Sequence, residues 1–136
     1  MLTEDEQRTL TGLRVRPCVI IESPYAAPTP EGVERNMRYL RACMRDCLLK
    51  GEAPFASHGL YTQPGVLRDE VPAEREVGMA AGWSWLAGAD RVAVYTDLGI
   101  TKGMERGIFR AVAFDCVIIE YRTLGGEWAQ EDVEDA

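Results

Sequence analysis

The sequence predicts an α/β domain with a single doubly wound parallel sheet, flavodoxin-like or Rossmann-like, of about four strands in the order 2-1-3-4, with helices on both faces. Two observations lead there. Apolar, β-branched runs alternate with segments of helical period in the order β-α-β-α-β-α-β, and parallel neighbours need such crossovers. The strand runs are also continuously apolar rather than alternating, as strands covered on both faces are. Right-handed crossovers follow by rule. In this order the switch point falls between the first and third strands, where open α/β sheets bind ligands.

Along the chain, residues 1–14 form a polar N-terminal segment in which Thr3 and Glu6 have the spacing to cap a short helix. VRPCVIIES (15–23) reads as the first buried strand and stops at Ser23-Pro24. A proline-rich loop follows, and a long helix starts at Thr29-Pro30-Glu31, with a hydroxyl cap and proline in its first turn. Val33, Met37, Leu40, Met44, Cys47 and Leu48 form its apolar stripe, off which lie Arg35, Arg38, Arg41 and Arg45. The helix ends at Gly51. A second short strand is expected around Pro54–Ser57, then a loop from Gln63 to Ala73.

The next helix spans roughly 74–88 and contains Gly78 and Gly82, each costing about 1 kcal/mol relative to alanine. Close packing or ligand approach would account for them. RVAVYTD (91–97) is the third strand, 98–103 a glycine-bounded turn, 103–114 the last helix and 116–121 the fourth strand. The α/β domain is thus drawn over 15–124, with an acidic, solvated C-terminal tail over 125–136.

A chain of 136 residues is a normal size for one domain, and 46% hydrophobic with 27% charged residues is globular composition. No apolar run approaches the about 20 residues of a membrane span, and the start, MLTEDEQRTL, is too acidic for a secretory signal. The expectation is a cytoplasmic protein with no membrane partner. Its cysteines, Cys18, Cys43, Cys47 and Cys116, form no CxxC pair, and His58 is the lone histidine, so reduced buried thiols are expected and no metal. The net charge of −7 makes duplex nucleic acid a poor partner, while helix ends and a few arginines can still hold one phosphate.

The loops after the strands carry the candidate ligand groups: Glu22, Ser23 and Tyr25, then Ser57, His58 and Tyr61, then Asp97, Gly99, Thr101, Gly103, Met104 and Glu105. In the third loop, glycines permit close approach and the following helix start offers free N–H donors. The segment is neither a P-loop nor GxGxxG. Glu105 falls in the first turn beside those donors, where a dipole-stabilising carboxylate is one role open to it. His58 is open to two roles, ligand contact or a loop imidazole bonded to backbone. Arg75 lies near a helix start. Trp83, Trp85 and Leu86 read as core or subunit contact.

Gly103-Met104-Glu105-Arg106-Gly107, placed after Ala89-Asp90 and an apolar strand ending at Asp97, resembles the nucleoside 2-deoxyribosyltransferase superfamily, which includes nucleotide N-glycosidases. Pro24 and Tyr25 after the first strand fit the same pattern. The likeness covers most of 15–121 and is most specific over 88–111. It implies that Glu105 attacks the anomeric carbon of a (deoxy)ribosyl group, that Asp97 protonates the departing base, and that Tyr25 orients the nucleophile or stacks on the base. It further implies a nucleoside or nucleotide substrate, no cofactor, and a homo-oligomer. The alternative is a non-catalytic module that captures a nucleotide-derived small molecule in the same crevice.

Overall fold

The computed structural model describes residues 1–11, 16–114, 118–126 and 128. Cys116 and most of the acidic tail lie outside these residues. The elements run α1 (Glu4–Thr11), β1 (Cys18–Glu22), α2 (Pro30–Leu49), β2 (Ala53–Phe55), α3 (Ser57–Leu60), α4 (Pro72–Trp83), a 3₁₀ segment (Ser84–Gly88), β3 (Arg91–Tyr95), α5 (Lys102–Val112) and β4 (Ile118–Arg122). The four strands form one all-parallel sheet in the order β2-β1-β3-β4. This is the α/β, Rossmann-like architecture and strand order that the alternation of the sequence predicts.

Successive side chains of a strand point to opposite faces, and the two central strands feed two cores in this way. Val19, Ile21, Ala93 and Tyr95 pack with Tyr39, Leu40, Cys43 and Cys47 of α2. Ile20, Val92 and Val94 pack on the other face with Leu86, Met104 and Ala111. The α2 layer therefore covers one side of the sheet, and the 3₁₀ segment with α5 covers the other. Among the described residues no helix is long and apolar enough to cross a membrane.

Local signals explain the helix starts. Thr3 and Glu6 form a reciprocal capping box before α1. The Thr29 hydroxyl accepts from Gly32 N–H at 3.1 Å, with Pro30 in the first turn of α2. The buried face of α2 is centred on Asn36, Tyr39, Leu40, Cys43 and Cys47 rather than on the apolar stripe. Leu48 is exposed and Asn36 buried, because Asn36 Nδ2 donates to the Tyr25 carbonyl at 2.8 Å and fixes the loop after β1. Cys43 and Cys47 are buried thiols, but Cys18, the first residue of β1, is exposed, which corrects its expected burial. Asp90 of the Ala-Asp dipeptide ties the sheet: its carboxylate accepts from Cys18 N–H at 2.7 Å, and its own N–H donates to the Cys18 carbonyl at 2.8 Å.

Under α2, the sheet is crossed by a buried ion pair. Arg122 of β4 donates to both oxygens of Glu52, just before β2, at 2.7 and 2.6 Å, and Arg91 adds a contact at 3.3 Å. Arg122 also donates to Tyr95 Oη at 3.2 Å, whose hydroxyl donates to Asp46 at 2.7 Å. Burial alone would raise the Glu52 carboxyl, but Arg122 and Arg91 outweigh it and hold it below the usual carboxylate range. Its stabilising contribution is present above the unfolded-state value and is lost as pH falls through the lower folded value. Removing one partner of such a pair costs about 3–5 kcal/mol. Arg122→Ala should lie at the lower end of that range in urea unfolding, since Arg91 still faces Glu52, and Glu52→Gln/Arg122→Met should recover part of the loss.

Candidate functional site

The carboxyl ends of β1 and β2 and the start of α5 enclose a cavity of about 290 Å³. From the end of β1 come Glu22, Ser23 and Tyr25, and from α3 comes His58. Thr101, Gly103 and Met104 come from the start of α5. These sequence-predicted positions share one wall system. Tyr61 lines a smaller adjoining hollow that shares His58, Asp69 and Arg75, and it accepts from Trp85 Nε1 at 3.0 Å. Gly99 adopts a φ of 86° in the turn before α5 and does not line the cavity.

Asp97 and Glu105 do not line it either. The Asp97 carboxylate accepts from Tyr39 Oη at 2.5 Å, from Leu124 N–H at 2.9 Å and from Gly125 N–H at 3.0 Å. Burial would raise this carboxyl, yet those hydrogen bonds prevail and hold it below its ordinary value. A carboxylate so held keeps the loop after β4 in place and has no proton to hand to a leaving base at neutral pH. Glu105 lies exposed in the first turn of α5, where the macrodipole favours a negative charge. Neither of the carboxylates to which the resemblance assigns the displacement is on the wall of this cavity.

His58 Nε2 lies 2.8 Å from Ser23 Oγ, so this imidazole is bonded to a side chain of the cavity wall rather than to backbone. Burial pushes it down to about 4, and it is neutral at physiological pH. Glu22 shows the opposite response for the same reason: burial without a compensating charge pushes its carboxyl up to about 8. Its oxygens sit against Gly107, where a Cβ would lie 2.2 Å from Oε2. Gly107 is therefore required by the Glu22 carboxyl. Gly82 has an analogous reason: a Cβ there would meet Ser57 Oγ at 2.4 Å, so α4 and α3 are in close contact beside the cavity.

Cationic groups stand at the α5 end. Arg75 pairs with Asp69 at 2.8 Å, and its Nη2 lies 3.2 Å from where a Gly103 Cβ would be. Lys102 also lines the cavity. The Thr101 hydroxyl accepts from Met104 N–H at 3.2 Å, while the N–H groups of Lys102 and Gly103 precede any partner carbonyl within the helix. Trp83 adds an indole to the wall, with Arg110 over its ring at 4.6 Å. Arg106, bonded to Glu76 at 2.9 and 3.0 Å, ties α4 to α5.

Asp69 is a wall residue that sequence reasoning missed. It lies in what reads as a featureless loop, and its partner Arg75 is six positions on, a separation that matches neither a helical nor a strand period. Lys102 and Trp83 carry no signal distinguishing them from a solvated lysine and a core tryptophan.

Residues 17–121 match the family described as a domain of unknown function, DUF7768. The chain belongs to this family. The DUF7768 span begins one residue before β1 and ends one residue short of the end of β4, so it holds β1 to β3, most of β4 and every residue of the cavity wall. No curated protein matches the sequence.

The His58 environment has a measurable sign. Its folded-state value is below the ordinary 6.5, so the stability it confers is complete above 6.5 and is lost as pH falls toward about 4. Urea unfolding from pH 7 to 4 should show wild type losing more stability than His58→Gln. The excess should be at most about 1.4 kcal/mol per pH unit.

Proposed function

We propose that this cavity captures a small nucleotide-derived molecule and holds it intact. The observation that carries the reading is the make-up of the wall. Arg75, Lys102 and the open start of α5 suit a phosphate, and Trp83 and Tyr25 suit a planar base, while the two carboxylates needed for glycosyl displacement stand elsewhere. The volume of about 290 Å³ is at the lower end of small-molecule sites, about 300–1,000 Å³, which favours a mononucleotide over a dinucleotide.

A second reading, N-glycosidase or deoxyribosyltransferase, is favoured by one feature: Gly103–Gly107 opens α5 directly after β3 and its turn, with Glu105 in the first helical turn, as the resemblance requires. It ranks second because Glu105 is outside the cavity. Mass spectrometry of wild type, Arg75→Ala and Glu105→Ala incubated with a pool of nucleosides and nucleotides separates the two. Intact ligand retained by wild type and Glu105→Ala, and weakened about tenfold or more in Arg75→Ala, supports capture, since a hydrogen bond to a charged group contributes about 1.5–3 kcal/mol. Free base released by wild type and not by Glu105→Ala replaces capture with the glycosidase reading.

The reading includes self-association. Its support is the exposure of large apolar groups on α5 and on either face of the edge strand β4, where Phe109 is 74% exposed, Ile118 59% and Tyr121 58%. An open sheet edge bordered by apolar groups pairs readily with a second copy around a twofold axis. Sedimentation should give a dimer or larger species for wild type and a smaller one for Phe109→Glu; a wild-type monomer at tens of micromolar would reject this part.

A further inference from the structure

Glu22 ends the central strand β1, paired in register with Val94 of β3. It shares a strand face with Ile20, the face covered by Met104 and Ala111 of α5. A half-buried acid on the wall of a cavity is costly unless paired, and the described residues supply no pair. Among the described residues no hydrogen bond or ion pair reaches either oxygen. The charged and titratable groups around the same cavity are committed elsewhere or stand apart. His58 of α3 is bonded to Ser23, and Arg75 of α4 to Asp69 of the preceding loop. Lys102 at the start of α5 and Tyr25 after β1 line the wall without bonding to Glu22. An apolar residue would complete this strand face at less cost to folding, so the carboxyl is explained by what enters the cavity.

We propose that the Glu22 side chain, seated on Gly107 at the cavity wall with no partner of its own, recognises the ligand's planar edge by offering a hydroxyl donor and a carbonyl acceptor side by side. This rests on the capture reading and adds to it the chemistry of recognition. A carboxylate offers only acceptors and fits an edge with two donors; a carboxylic acid fits an edge with one N–H donor beside one acceptor. Adenine presents such an edge at N6 and N7, and so do the lactam of uracil and the carboxamide of nicotinamide. Binding is then linked to the proton on Glu22. Since the carboxyl ionises at about 8 in the unliganded protein, affinity holds at neutral pH and falls as pH rises past that value.

Isothermal titration calorimetry with AMP, UMP and nicotinamide mononucleotide, at pH 7 and pH 9, tests this on wild type, Glu22→Gln and Glu22→Ala. Glutamine is nearly isosteric with the neutral acid and keeps a donor beside an acceptor. At least one probe should bind wild type at pH 7 and weaken up to about tenfold at pH 9. Glu22→Gln should bind that probe within a few-fold of wild type at pH 7 and show no such weakening, whereas Glu22→Ala should bind poorly at both. Which probe binds identifies adenine, lactam or carboxamide as the source of the edge. Gly107→Ala, which drives the carboxyl off its seat, should weaken binding while circular dichroism stays native. If Glu22→Gln fails as badly as Glu22→Ala, or follows the wild-type pH dependence, the role of Glu22 is overturned while capture stands. If no probe binds wild type at either pH, both are overturned.

Discussion

All four strands of this sheet point the same way, so each return of the chain must pass over a face of the sheet, and the direction of winding must change once for both faces to be covered. The change occurs after β2, when the chain passes β1 and lays β3 on its other side. From that constraint the rest follows. α2 covers one face, and the 3₁₀ segment and α5 cover the other. No strand-to-strand turn fills the space beyond the carboxyl end of β1, and the cavity forms there, between the segment after β2 and the start of α5. Asp90 sets the level of the two central strands by bonding both ways to Cys18, so the loop positions at the far end are fixed from the near end.

Two acids in this small protein, Glu52 buried and Glu22 half-buried, show how pairing decides what a carboxyl withdrawn from water is for. Glu52 lies in a cluster with Arg122 and Arg91 and stays ionised, joining β4 to the segment before β2 beneath α2. Glu22 lies at the cavity wall without a counter-charge and takes up a proton. The first is consumed by the fold. The second leaves its hydrogen-bonding capacity free, at a position where the sheet and α5 meet.

The strand order was legible because it depends on long-range regularities: continuous apolar runs, helical spacing between them, and the rule on crossover hand. The cap at Thr29-Pro30 was legible because capping is local. The loops that would line the site were legible from topology alone, and Glu22, Ser23, Tyr25, His58, Thr101, Gly103 and Met104 do converge. What could not be read was the assignment of individual side chains in three dimensions. Asp97 follows a strand and has the right chemistry, but Tyr39 and the backbone of Leu124 and Gly125 occupy its oxygens. Glu105 stands one residue after a buried position on a helix, so a rotation of about 100° per residue carries it to solvent. The face of α2 was misjudged for a similar reason: Asn36 is polar and buried because a loop carbonyl needs it.

Tyr39 is a hub between segments far apart in the chain. Its ring meets Trp128 edge-on with centroids 4.9 Å apart, its hydroxyl donates to Asp97, and the same oxygen accepts from Asp97 N–H. Through Asp97 it reaches Leu124 and Gly125. One phenol thus fastens the chain beyond β4 to the middle of α2 and to the loop leading into α5. That makes Leu124, Gly125 and Trp128 a buttress for the site rather than a dispensable trailer. Trimming the chain just after β4 would strip two amide donors from a partly buried carboxylate and uncover the aromatic face of α2, and the slackening would be felt in the turn that aims α5 at the cavity.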